Sequence, residues 1–101
     1  MSAPRPTNQV RPDRWALHAF DHEGVFRAPA GPYLSGEVHG DSRFEDGASI
    51  MTGEIVGCDD TAAWTGRTCY LLGEPDPGYL AWLGTKGRIL DPERPMAGVV
   101  L

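Results

Sequence analysis

Little in this chain favours nucleic acid, membrane or cofactor. Lysine and arginine number nine in 101 residues, dispersed and outnumbered by fourteen carboxylates. A chain of that balance lacks the basic face that direct nucleic-acid binding requires. No apolar run approaches the roughly 20 residues that span a bilayer, and residues 1–10 lack the hydrophobic core of a signal peptide, so the expectation is a cytoplasmic protein. Cysteine is scarce as well. Cys58 and Cys69 alone do not make a disulfide scaffold, and cytosolic thiols are usually reduced.

Catalytic signatures are equally sparse. There is no GxGxxG, no GxxxxGK followed by Ser or Thr, and no GxSxG. His18, His22, His39, Cys58 and Cys69 are the potential zinc ligands, but no CxxC occurs and the His18/His22 spacing of four falls where strand or loop is expected. A catalytic cysteine needs a nearby base or a helix N-terminus to depress its pKa, and both cysteines lie in expected strands. Glu45-Asp46 and Asp59-Asp60 are adjacent acids in turns, where carboxylates are normally solvated rather than desolvated for acid–base work. The reading is a non-enzyme with neither metal nor cofactor.

Charge is what the chain has in excess, and it is concentrated. Residues 34–83 carry nine carboxylates (Glu37, Asp41, Glu45, Asp46, Glu54, Asp59, Asp60, Glu74, Asp76) against Arg43 and Arg67, a net charge of minus seven. The flanks, residues 1–33 and 84–101, are each plus one, which recovers the whole-chain minus five. A field of one sign on a small domain steers it toward a partner of opposite sign. Trp and Tyr dominate interface hot spots, so a tryptophan near the acidic loops would anchor such a partner. The candidate partner-binding residues are Asp41, Glu45, Asp46, Asp59 and Asp60 for charge, with Trp64 or Trp82 as the anchor. For both tryptophans the competing reading is a place in the core.

The length fits one domain with a single core, and 13 Gly with 9 Pro imply many turns. Residues 1–13 combine three prolines with polar residues and no apolar period, which predicts a flexible arm ahead of a single β-rich domain over residues 14–101. Residues 14–20 lean toward a strand, residues 21–32 read as loop, and residues 33–39 read as a strand. Residues 40–47 supply a polar hairpin connection closed by Asp46-Gly47. Residues 48–58 are β-branched and apolar with a bend at their glycines, and residues 64–72 form a further strand. A symmetric loop over residues 59–66 would set Cys58 opposite Cys69. Asp76-Pro77 opens a helix near residues 76–84, with Leu80, Leu83 and either Tyr79 or Trp82 facing the sheet and Gly84 or Gly87 ending it. Residues 88–101 end apolar, as an edge strand or a docking tail. The expected fold is α+β, mainly β: a small antiparallel sheet or partly open barrel of about 4–5 short strands with one C-terminal helix.

The run SGEVHGDSRFEDGASIMTGEIVG, followed by TGRTCYLLGEPDPGYLAWL, resembles a group of short uncharacterised proteins of bacterial chromosomes and prophages. Arg43, Phe44, Asp46, Gly47, Ile50, Thr52, Tyr70, Leu72, Gly73, Glu74 and Pro75 carry the likeness, while Gly53 stands where the pattern has Ser. The resemblance covers residues 34–83 and implies a mobile-element origin. In general character such small acidic proteins are similar to anti-CRISPR inhibitors, whose carboxylates stand in for phosphates in a basic channel. The expected function is therefore inhibition of a basic nucleic-acid-binding effector, without direct nucleic-acid or membrane contact. The alternative is a self-assembling structural or accessory module of a phage or bacterial complex, a homo-oligomer through an apolar sheet edge.

Overall fold

The computed structural model describes residues 4–18, 32–91 and 93–96. His22 and most of the loop expected over residues 21–32 lie outside them, as does the apolar end at Val99, Val100 and Leu101. The fold is α+β and mainly β, with two small sheets and one helix. Strands β1 (Gln9–Val10), β7 (Cys69–Leu71), β6 (Ala62–Trp64) and β5 (Gly57–Cys58) lie in that order in a four-stranded sheet. Strands β2 (Pro12–His18), β3 (Tyr33–Val38) and β4 (Ala48–Met51) form a second sheet, and α1 (Pro77–Thr85) packs beside β2. The strands number seven rather than four or five because both long apolar segments break and residues 9–10 add a strand of their own.

Residues 48–58 divide at residues 52–56, and the chain passes there from the second sheet to the first. Residues 64–72 divide at a turn in which Thr65 donates its N–H to Thr68 O (3.0 Å) and its hydroxyl accepts from the Arg67 and Thr68 amides. Threonine hydroxyls stabilise such turns by offering the backbone an alternative to the ladder. An extra strand thus enters the expected hairpin, and Cys58 pairs with Ala63 while Cys69 pairs with Trp64. Side chains alternate across a strand, so Cys58 and Tyr70 face the core while Gly57, Trp64 and Cys69 share the outer face. The two cysteines are free thiols on opposite faces.

The arm also ends sooner than its composition predicts. Gln9 and Val10 run parallel to Cys69 and Tyr70, and the Cys69 N–H donates to Asn8 O at 2.8 Å. Val10 has an apolar side chain to bury, which the prolines around it obscure. The following strand carries a bulge: Asp13 pairs with Glu37 and Ala16 with Ser35, so two residues lie between on β2 against one on β3. Arg14 takes a left-handed φ of 49° there. Trp15 is turned toward residues 73–76, donating its indole N–H to Gly73 O (2.9 Å) while its carbonyl accepts from the Asp76 N–H (2.9 Å).

Trp15 is fully buried and joins both sheets to the helix. Around it lie Leu17, Leu34, Ile55, Ala63 and Met96, with Tyr79 against its ring at 5.8 Å. Asp76 caps the helix by accepting the Tyr79 N–H, and Pro77 follows it. At the other end Gly87, at φ 75°, lets its own N–H reach Gly84 O while the Arg88 N–H reaches Leu83 O, a Schellman closure. The helix presents Tyr79 and Leu83, not Leu80, because it touches the core along one narrow edge. Met96, buried at the end of residues 93–96, donates its N–H to Asp60 O, and residues 88–91 and 93–96 contain no strand.

Candidate docking surface

The acidic residues divide between two turns with different internal commitments. In the connection from β3 to β4, Asp41 accepts from Arg43 Nη2 (2.6 Å) and Nε (3.0 Å) and from the Arg43 backbone N–H (3.0 Å). Those side-chain bonds, followed by the backbone bond, draw its pKa down to about 2. Arg43 also donates to Asn8 Oδ1 and Gln9 O, both at 2.6 Å, which ties this connection to the start of the chain. Asp46 accepts the Gly40 N–H through Oδ1 and sits 3.7 Å from His39 Nδ1, with its side chain 79% exposed. Glu45 is exposed and its carboxylate has no partner among the described residues.

The turn between β5 and β6 is held by Asp59. Its Oδ1 accepts from the Thr61 N–H (2.9 Å), the Ala62 N–H (2.8 Å) and the Thr61 hydroxyl (3.3 Å). Its Oδ2 is left for Arg5 Nη1 at 2.9 Å. Burial raises the Asp59 pKa, but the two amides, the Arg5 charge and the hydroxyl more than offset it and leave it below the ordinary value. Asp60 points outward, 3.5 Å from Arg94 Nε, with both side chains about 60% exposed.

Of the acids expected to meet a partner, Asp41 and Asp59 are therefore largely structural, while Glu45, Asp46 and Asp60 remain presented to solvent. Glu54, beyond β4, is likewise exposed without a partner among the described residues. Neither tryptophan is an exposed anchor. Trp64 is 6% exposed on β6, and Trp82 is half-buried on α1. Trp64 belongs instead to a small apolar cluster with Ala62 and Cys69 on the outer face of the four-stranded sheet. Its indole lies across Gly57, where a Cβ would collide with Nε1, so this strand pair needs glycine there.

Arg5 lies over that cluster, its guanidinium carbon 5.8 Å from the Trp64 ring and its Nε 3.2 Å from Cys69 Sγ. Sequence reading missed this contact. Arg5 is 54 residues from Asp59 and sits between prolines in a stretch without period, so nothing local marks it. Asp59 and Trp64 thus come together through Arg5, whereas Asp41, Glu45 and Asp46 occupy a different connection.

The outer face of the three-stranded sheet carries a second polar set that the sequence did not single out. Arg14 lies 3.4 Å from Glu37 and 3.7 Å from Asp76, and His39 Nε2 lies 3.6 Å from Glu37. Arg14, Glu37 and Asp76 border a shallow groove of about 320 Å³ with Ser35, Ser49 and Met51. His18 stacks on Tyr33 at 4.4 Å and its Nε2 is 2.8 Å from Ser35 Oγ, with burial lowering its pKa. A nucleophilic serine needs its histidine oriented through the other nitrogen, and no described group bonds His18 Nδ1. Among the described residues no three His, Cys, Asp or Glu converge as metal ligands do, and no helix is long and apolar enough to cross a membrane. In comparisons with known protein families, curated proteins and solved structures, nothing matches this chain.

Proposed function

We propose that this protein is a small acidic docking module that binds a basic surface of a nucleic-acid-binding effector and inhibits it by occupying the place of phosphates. The observation that carries the reading is the minus-seven segment, from which Glu45, Glu54, Asp46 and Asp60 remain presented to solvent. Carboxylates on turns between short strands are held by the backbone yet open to a partner, and their field raises association rates with basic proteins.

The test is capture of partners from a lysate of the protein's host at low and high salt, beside Glu45→Lys/Glu54→Lys and Asp60→Lys variants. Asp46 and Asp59 are left intact because reversing either would break a turn whose backbone amides its Oδ1 accepts. The expected result is a basic nucleic-acid-binding partner lost from both variants and at high salt. Capture indifferent to salt and to both reversals would count against the reading.

A second reading, self-assembly, has one observation in its favour. Strand β4 is one of the two outer strands of its sheet, and Met51 on it is 72% exposed. An antiparallel pairing of two β4 strands centred between Ser49 and Ile50 would set Ala48 of one copy opposite Met51 of the other. Sedimentation across a concentration series decides it: a dimer abolished by Met51→Lys would favour assembly over docking.

A further inference from the structure

We propose that Asp59, Trp64 and Cys69 form a site that reads one arginine side chain of the basic partner, and that the chain's own Arg5 fills this site in the free protein. The inference rests on the docking reading above and supplies its recognition chemistry.

The geometry is that of guanidinium recognition. Trp64 lies directly across from Gly57 on one side and Cys69 on the other, and the missing side chain of Gly57 lets the indole lie flat over β5. Three properties of a guanidinium are then used at once. Its planar cation faces the ring at 5.8 Å, its Nε–H donates to Cys69 Sγ at 3.2 Å, and its Nη1–H donates to Asp59 Oδ2 at 2.9 Å. A lysine ammonium carries the charge but has neither the plane nor donors fixed in separate directions, so the site discriminates between the two cations. Asp59 is oriented before any ligand arrives, because its Oδ1 is committed to the Thr61 and Ala62 amides and only Oδ2 faces outward.

Arg5 has the character of a removable occupant. Its ion pair with Asp59 is about 40% exposed on both sides, and exposed pairs of this kind are weak. Being tethered, it competes at an effective concentration that a single free arginine does not match, but a partner offering several arginines also engages Glu45, Asp46 and Asp60. Displacement of Arg5 then couples recognition of one side chain to docking of a basic surface.

The test uses the full chain, as wild type, Arg5→Ala, Arg5→Lys and Arg5→Ala/Asp59→Asn, with hexa-arginine and hexa-lysine peptides as probes. Asparagine at position 59 retains Oδ1 for the turn and replaces Oδ2 with a donor, which the guanidinium rejects. Calorimetry is expected to show hexa-arginine binding about two- to fivefold more tightly to Arg5→Ala than to wild type, the equivalent of freeing one exposed contact. Arg5→Lys should fall between them, hexa-lysine should bind Arg5→Ala several-fold more weakly than hexa-arginine, and the added Asp59→Asn should erase the gain. The Trp64 indole N–H resonance should move with hexa-arginine alone. Equal binding of both peptides, no tightening on removing Arg5, or a stationary Trp64 resonance would each overturn the arginine site. If both peptides bind every variant equally and salt-sensitively, docking through the exposed carboxylates survives and this inference does not; if neither binds any variant, both fall.

Discussion

Replacing Trp15 with phenylalanine tests the account of how the two sheets and the helix are joined. Trp15 has no exposed surface, and its indole N–H satisfies Gly73 O at 2.9 Å in the segment leading to the helix. Phenylalanine removes that donor and leaves a carbonyl short of a partner, which costs about 1–3 kcal/mol. It also opens a void on the order of 40 Å³, worth about 1 kcal/mol at ~24 cal/mol per Å³. The expected loss is about 2–4 kcal/mol, which lowers Tm by roughly 10–30 °C in a domain of this size. Urea and thermal unfolding followed by far-UV circular dichroism measure it directly. Met51→Ala is the matched control, since a side chain 72% exposed should change stability by less than about 0.5 kcal/mol. If Trp15→Phe costs less than about 1 kcal/mol, Trp15 does not join the sheets as described.

Three further outcomes follow from the site. The Asp41 carboxyl should titrate at about 2 by NMR and return toward its ordinary value in Arg43→Met; its pairing stabilises the fold above about 3.8, and that contribution is lost as pH falls through about 2. Gly57→Val should cost about 1–3 kcal/mol in chemical unfolding and shift the Trp64 indole resonance, because the new side chain occupies the place of the ring; an unmoved resonance would refute the packing. Cys58 and Cys69 should both titrate as thiols after unfolding without reductant. In the folded protein Cys58 should alkylate slowly near neutral pH, because burial and then the charges of Asp59 and Asp60 raise its pKa.

Sequence alone determined the mainly β character, the helix with its Asp76 cap, the polar connection closed at Gly47, and the excess of carboxylates. Each is a local signal: a capping side chain, a turn dipeptide, a composition. Tertiary structure decided the rest. Residues 64–72 read as one strand because Trp64 and Tyr70 are good strand formers, while the turn that splits them rests on the Thr65 hydroxyl accepting the Arg67 and Thr68 amides and on the Thr65 N–H reaching Thr68 O, bonds that no apolar pattern encodes. With β6 inserted, Cys58 lines up with Ala63 and Tyr70 while Gly57 lines up with Trp64 and Cys69, and for that reason Cys58 and Cys69 part. Charge could be counted from the chain, but its availability could not. Whether a carboxylate is spent on its own turn, as at Asp59, or left to solvent, as at Glu45, depends on which amides and guanidinium groups the fold brings within about 3 Å. Arg5 shows the same limit, because a residue between prolines acquires its meaning only when a sheet 54 residues away supplies the ring, the sulfur and the carboxylate it meets.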